Sequence, residues 1–409
     1  MESGSAASGA VRWSVREGAT GGRLTGQPMI LDVQSTDDSR DMVHRTVQAL
    51  VEGHLVGVPS DTTYCIAANA LCDSAVRRLS ELACPSCSAL TGSSGMVLSL
   101  RSREAAGDFL TPAPALARRL MRRCWPGPLT LVCGIEEARS AVSALPDGVR
   151  GRIRWSGGEV AFSVSQHRVL SHIHRYLSAP LILACAGGQS GGVPTTVAGV
   201  PPTIQRELPL LLDDGPTRYG GESTVARVCG REWTLLREGV IERAAMNQFV
   251  KPVIALVCTG NTCRSPMAET LLRERLRKKL GCEDAIRVIS AGLAAAEGSG
   301  AAAQAVEVMG RRGLDLTGHS SRPLDDSVMG VADLVLTMTR GHRAAILAAW
   351  PELQDRVFTL RRDGRDIEDP VGMPVEAYES CASQMDEALG EWVEALGDDF
   401  FPKSTSDLG

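Results

Sequence analysis

The segment Pro252-Val253-Ile254-Ala255-Leu256-Val257 is an unbroken apolar run that passes through a Gly/Asn loop into a charged stretch at about 265–280. An apolar run without polar alternation, handing on to a helix, predicts a strand buried on both faces, as in parallel sheets covered by helices. The pattern then repeats. A strand is expected at Ile286-Arg287-Val288-Ile289-Ser290, an Ala-rich helix at about 301–312 and a strand at Ala332-Asp333-Leu334-Val335-Leu336. A helix at about 340–349, a short strand at Arg356-Val357-Phe358-Thr359-Leu360 and a long helix at about 375–396 complete it. Such alternation predicts a three-layer α/β domain with a parallel sheet. In these sheets the site lies beyond the carboxyl ends of the strands.

The first strand runs into Cys258-Thr259-Gly260-Asn261-Thr262-Cys263-Arg264-Ser265. Between a buried strand and a helix, backbone N–H groups converge on the helix N-terminus, a geometry that binds a phosphate dianion and stabilises a thiolate. Cys258 is therefore the candidate nucleophile. The planar fork of Arg264 can grip two phosphoryl oxygens. Ser265 is placed to donate to the thiolate or leaving sulfur, and Gly260 and Asn261 suit left-handed turns. A leaving-group acid is also needed. Asp369, in Glu368-Asp369-Pro370 before the last helix and roughly 110 residues after the loop, is the candidate acid and then base toward water. The expected positive field comes from amides and Arg264, so no metal or other cofactor is expected there.

Charge limits the partners. The chain has 43 Lys and Arg against 48 Asp and Glu, a net of −5, which excludes a broad basic surface for DNA. From Val250 onward there are 18 basic and 25 acidic residues; before it there are 25 and 23. That shift, with a change of pattern near 240–251, predicts two domains, at 29–245 and 251–397, and a tail at 398–409. Residues 1–28 are rich in Gly, Ser and Ala and predict a disordered leader. No apolar run reaches bilayer length, and no signal peptide is recognisable, so a cytoplasmic protein without a membrane partner is expected. The 12 irregularly spaced cysteines predict reduced thiols.

Val257 to Glu269, VCTGNTCRSPMAE, resembles the phosphate loop of low-molecular-weight protein phosphatases. The resemblance continues through Ser290-Ala291-Gly292, His319-Ser320-Ser321-Arg322-Pro323-Leu324, Ala332 to Thr339 and Asp369-Pro370, in the family's order. It covers about residues 251–396. It implies a four-stranded parallel sheet, a phosphorylated protein as substrate, Cys258 as nucleophile, Arg264 as phosphate ligand, Ser265 as thiolate partner and Asp369 as general acid. Thr259, Gly260, Asn261, Thr262 and Cys263 complete the implied substrate-binding loop. Thr262 resembles the branch that hydrolyses phosphoarginine, whereas members acting on phosphotyrosine commonly carry an aliphatic residue there. Val371-Gly372-Met373 also stand where the tyrosine branch often places aromatics. Cys263 beside the nucleophile is read either as a reversible disulfide partner of Cys258 or as a small buried thiol.

In the first half, Gly57 to Ala67 (GVPSDTTYCIA), Trp125 to Val132 (WPGPLTLV), Ser190-Gly191-Gly192, Leu212-Asp213-Asp214-Gly215, Ser223-Thr224-Val225 and Leu236-Arg237-Glu238-Gly239 resemble the threonylcarbamoyl-AMP synthase (YrdC-like) family. The resemblance implies a twisted open α/β sheet with a concave nucleotide-binding face, and ATP as ligand. Ser60, Tyr64 and Ser223 are the candidate pocket residues. Where the family places a Lys and an Arg, this chain reads Leu82-Ala83-Cys84-Pro85-Ser86-Cys87-Ser88; where the family has Ser-Ala-Asn it reads Ala186-Gly187-Gly188. Losing charge-assisted bonds to a polyphosphate, about 1.5–3 kcal/mol each, argues for a degenerate domain. Cys84-x-x-Cys87 is read as a loop rather than a zinc or redox pair, and His172 and His174 as one face of a strand or a helix surface.

Three functions follow. The first is a cysteine-dependent protein phosphatase acting on phosphoarginine or phosphotyrosine, fused to a synthase-like nucleotide- or RNA-binding domain. The second is an active threonylcarbamoyladenylate synthase of tRNA modification with an appended phosphatase. The third is an N-terminal module without chemistry that targets the phosphatase.

Overall fold

The structure, a computed structural model, describes residues 28–35, 39–83, 95–187, 192–281, 285–397 and 400. The expected leader (apart from Pro28), the tail (apart from Phe400), Cys84-x-x-Cys87 and Ser190-Gly191 lie outside the described residues.

Two separate sheets divide the chain. The first has ten strands: β1 Met29–Asp32, β2 Val56–Pro59, β3 Tyr64–Asn69, β4 Val97–Ser99, β5 Leu129–Cys133, β6 Val160–Ser163, β7 Leu181–Cys185, β8 Leu210–Asp213, β9 Thr224–Cys229 and β10 Glu232–Arg237. Their order is β1-β8-β2-β3-β7-β4-β6-β5-β9-β10. The sheet is mixed: β2 and β3 pair antiparallel, β3 and β7 likewise, while β5 and β9 are parallel. Strand residues alternate between faces. Tyr64, Ile66, Leu98 and Phe162 pack with the helices Asp73–Leu82 and Ala115–Cys124. Cys65, Ala67, Leu181 and Leu183 face the helices Ser39–Val51 and Arg168–Tyr176. His172 and His174 are both on that last helix. A spacing of two turns them to different sides, so they share no face: His172 is exposed, and His174 is buried with Nε2 3.0 Å from Ser99 Oγ.

The second sheet holds β11 Val253–Cys258, β12 Arg287–Gly292, β13 Leu334–Thr337 and β14 Val357–Thr359, ordered β12-β11-β13-β14 and parallel throughout. β11 is buried along its whole length, as its unbroken apolar sequence requires. Ile254 and Leu256 pack under the helices Arg264–Leu280 and Val375–Ala395, while Val253, Ala255 and Val257 meet Val328 and Ile346 on the other face. Gly281, at φ 66°, ends the Arg264–Leu280 helix in the left-handed conformation. A short helix at Asp326–Val331, which the sequence pattern did not suggest, is capped by Asp325, whose side chain accepts from Val328 N.

The helix Arg243–Phe249 links the sheets along the chain. Arg123 donates to the carbonyls of Phe249 at 2.6 Å and Lys251 at 2.7 Å, and Arg119 to that of Val250 at 2.8 Å. No helix among the described residues is long and apolar enough to cross a membrane.

Candidate active site

β11 ends at Cys258 and the next helix begins at Arg264, so the loop between them turns within five residues. Its carbonyls are taken from outside. Leu293 N donates to Cys258 O at 3.0 Å, Ala294 N to Thr259 O at 2.9 Å and Ala302 N to Thr262 O at 2.9 Å. The Asn261 carbonyl lies 2.7 Å from His319 Nε2. With the carbonyls held outward, the N–H edges of the peptides turn inward, and Asn261 N donates to Cys258 Sγ at 3.3 Å.

Asn261 organises this cradle. It is fully buried and, at φ 54°, is the one non-glycine residue with positive φ among the described residues. Its side chain donates to Ser265 Oγ and Ser290 Oγ, both at 2.9 Å, and accepts from Arg322 N at 2.9 Å. The left-handed turn expected at Gly260 is not there: its φ is not positive, because Asn261 alone makes the reversal. Glycine is instead demanded at Gly292, where a Cβ would stand 2.5 Å from Thr259 O.

The reactive groups meet inside. Cys258 is 3% exposed and its sulfur lies 2.9 Å from Ser265 Oγ. Arg264 is also buried; its Nη1 donates to Ile367 O at 3.2 Å, and its Nη2 pairs with Asp369 Oδ2. The Asp369 loop thus already closes on the cradle, while the Asp369 side chain stays 48% exposed. Thr259 is exposed and Thr262 half-buried, its hydroxyl 3.6 Å from where a Cβ on Gly260 would lie. Cys263 is buried, and its thiol lies 3.6 Å from Tyr378 Oη. Burial, then the contact with Cys263, pushes the Tyr378 hydroxyl up to about 12.

Sequence reasoning passed over His342. Its Nε2 lies 2.9 Å from Thr259 Oγ1, and Thr339 Oγ1 accepts from its backbone N at 3.1 Å. Burial first, then nearby Arg264, holds its imidazole below the usual range. The only local signal was a Thr that caps a helix three residues before a His, following the Thr337-Met338-Thr339 stretch.

The first domain also has a cavity, of about 110 Å³, on the sheet face that carries Thr130, Ser163, Leu183 and Cys65. Ser60 and Ser223 line it, but Tyr64 does not. As the first residue of β3, Tyr64 points to the opposite face, where its hydroxyl donates to Gly215 O at 2.7 Å. Ser60 Oγ donates to Thr63 O at 2.7 Å, and Asp61 accepts from Ser165 Oγ and Gln166 N. Among the described lining residues the cation is Arg237, held by Glu222 at 2.8 Å and Ser223 Oγ at 3.0 Å.

A thiol in an anion cradle at the carboxyl end of a parallel strand, with an arginine and a carboxyl group over it, defines a phosphatase site on an α/β domain. The family model described as "Low molecular weight phosphotyrosine protein phosphatase" matches residues 253–401. A protein-arginine-phosphatase of Geobacillus stearothermophilus is 40% identical over 148 residues, covering 35% of this chain and 95% of the relative. The probable low molecular weight protein-tyrosine-phosphatase EpsP of Ralstonia solanacearum is 37% identical over 141 residues, covering 34% and 92%. A protein-arginine-phosphatase of Bacillus subtilis is 36% identical over 150 residues, covering 36% and 97%. The chain belongs to the low molecular weight protein phosphatase family through its C-terminal half. A second family model, of the Sua5/YrdC-like proteins and described as "Telomere recombination", matches residues 48–239.

Proposed function

We propose that this chain removes phosphate from phosphoarginine side chains of proteins through a phosphocysteine intermediate. The Cys258 thiolate attacks phosphorus and the phosphorus–nitrogen bond breaks. Asp369 gives its proton to the leaving guanidinium nitrogen. Asp369 then takes a proton from water, whose oxygen attacks phosphorus. The sulfur–phosphorus bond breaks, regenerating the thiolate and releasing inorganic phosphate. Inward N–H groups and Arg264 stabilise the equatorial oxygens, so an incoming phosphate must draw Arg264 from Asp369 and free that carboxyl group for the leaving atom. The observation that carries this reading is the paired contact to Cys258 Sγ from Ser265 Oγ at 2.9 Å and Asn261 N at 3.3 Å. The choice of phosphoarginine rests on Thr262, whose hydroxyl offers a guanidinium group a polar partner. Two of the three relatives described above are named arginine phosphatases.

For the N-terminal half, binding without synthase chemistry fits best, because the described lining of its cavity offers a polyphosphate a single cation, Arg237, which Glu222 and Ser223 hold. Weak nucleotide or RNA binding is the role it would keep.

Phosphoarginine and phosphotyrosine peptides at equal concentration, given to the intact protein and to Cys258→Ser under reducing conditions, test the phosphatase reading. Cys258-dependent turnover that favours phosphoarginine is expected. A phosphotyrosine preference would discard the specificity; no turnover by a folded, reduced protein would discard the mechanism.

A further inference from the structure

Cys65 and Cys185 are register partners on adjacent antiparallel strands, β3 and β7. One residue along, Ala186 N donates to Tyr64 O at 3.0 Å, the bond that flanks the Cys65–Cys185 pair, while Tyr64 N donates to Pro194 O at 2.7 Å. The two cysteines therefore occupy the non-hydrogen-bonded position, where opposed Cα atoms approach to about 4.5 Å and side chains are closest. That separation lies within the range of about 4.4–6.8 Å that a disulfide spans.

Partners in register project from the same sheet face, and both cysteines line the cavity of the first domain. Leu183, two residues before Cys185, lines it too. The surroundings are polar on one side. Cys65 Sγ lies 3.7 Å from Thr63 Oγ1 and 4.0 Å from Ser60 Oγ, and Arg237 stands on the same cavity. Cys65 is buried, Cys185 is partly open, and neither is in a disulfide. The more open residue is suited to attack and the buried one to resolve, a division of roles that lets two thiols act in turn.

We propose that Cys65 and Cys185 form a redox-active dithiol on the floor of this cavity, oxidised by low-molecular-weight disulfides. The Cys185 thiolate attacks one sulfur of the small disulfide; that sulfur–sulfur bond breaks and one small thiol leaves. Cys65, as thiolate, attacks Cys185 Sγ in the mixed disulfide, and the second small thiol leaves. Two protein thiols are oxidised and one disulfide is reduced to two thiols, the two protons lost by the protein being taken up by the departing thiolates. The product is a cross-strand bridge that draws the two sulfurs together and reshapes the cavity floor. The site is independent of the phosphatase chemistry.

The test uses the full chain and glutathione disulfide as oxidant, with free thiols alkylated afterwards and peptides mapped by mass spectrometry without reduction. The expected result is a linked Cys65–Cys185 peptide pair, with loss of both alkylation sites and their return on treatment with dithiothreitol. In Cys65→Ser, Cys185 is expected to stop at the mixed disulfide with glutathione. The exposed Cys229 serves as internal reporter that the oxidant acted. If Cys229 carries glutathione while Cys65 and Cys185 remain alkylatable, or if Cys185 stays as an unresolved mixed disulfide in the wild-type chain, the proposal is overturned. The wild-type map decides alone should the variant fail to fold.

Discussion

Arg123 Nη2 lies 2.8 Å from Asp333 Oδ2, and this contact joins the helix Ala115–Cys124 of the first domain to the start of β13 in the second. Arg119 Nε reaches the same oxygen at 3.1 Å, and Arg122 pairs with Oδ1. The carboxylate also accepts from Val253 N at 2.8 Å, so it pins the beginning of β11, the strand that ends at Cys258. Burial pulls the Arg123 guanidinium down to about 10 despite Asp333 beside it. Such a group is costly without its counter-charge.

Asp333→Asn keeps the shape and an acceptor for Val253 N but leaves three arginines around a neutral amide. Removing one partner of a buried ion pair costs about 3–5 kcal/mol. The expected outcome in urea unfolding is a loss of about 3 kcal/mol, with the fluorescence transitions of the two domains drawing apart. A change within about 0.5 kcal/mol, the range of ordinary surface substitutions, would mean the cluster does not hold the domains together.

Ser265→Ala tests the partner of the nucleophile. A hydrogen bond to a charged group contributes about 1.5–3 kcal/mol, which corresponds to roughly 10- to 100-fold in rate. The drop is expected in kcat more than in KM, since the contact acts on the sulfur and not on the bound peptide. An equal rise in KM with unchanged kcat would assign Ser265 to substrate binding.

Buried histidines set an acid limit on stability. Burial, then the charge of Arg101, lowers His174 from 6.5 to about 4. The unfolded chain binds this proton more readily, so the stabilisation is complete above pH 6.5 and is lost as pH falls toward 4. With about 1.36 kcal/mol per pKa unit, His174 accounts for about 3 kcal/mol over that window. His54, His167 and His342 are also lowered, chiefly by burial, and act in the same direction. Urea unfolding at pH 7 and pH 4.5 is expected to give a clear loss in the parent chain and a smaller one in His174→Gln. Parallel losses in both would remove His174 from the account.

The parts of the site legible in the sequence are those within one turn of chain. The loop from Cys258 to Ser265 is read directly because a buried strand, a reversal and a helix start leave few conformations for it. Asp369 was accessible through its place, roughly 110 residues after the loop and before the last helix, since an Asp-Pro alone reads as a turn. Features that depend on what comes alongside were not. Asp333 reads as a polar residue within the strand expected at 332–336, whereas the strand begins at Leu334, and its three arginine partners lie more than 200 positions earlier in the chain. Tyr64 stands beside Ser60 in sequence, yet the two-residue period of β3 turns it to the other face. The pairing of Cys65 with Cys185 is set by strand register, and the contact of His342 with Thr259 by helix docking. Neither is a local property.

Thr262→Val decides the substrate. Valine keeps the β-branched shape and removes the hydroxyl, so the half-buried position and the hydrogen bond from Ala302 N to its carbonyl at 2.9 Å should persist. A site built to hydrogen-bond a guanidinium group loses affinity for it when the partner is removed, by roughly 1–3 kcal/mol. The expected outcome is a fall of roughly 10-fold or more in kcat/KM for phosphoarginine peptides, with phosphotyrosine turnover held or raised. Both substrates share Cys258, Arg264 and Asp369, so a selective change isolates the hydroxyl. Equal losses on both would show that Thr262 acts by shaping the loop, and the preference would then have to come from the exposed Val371 and Met373 beside Asp369.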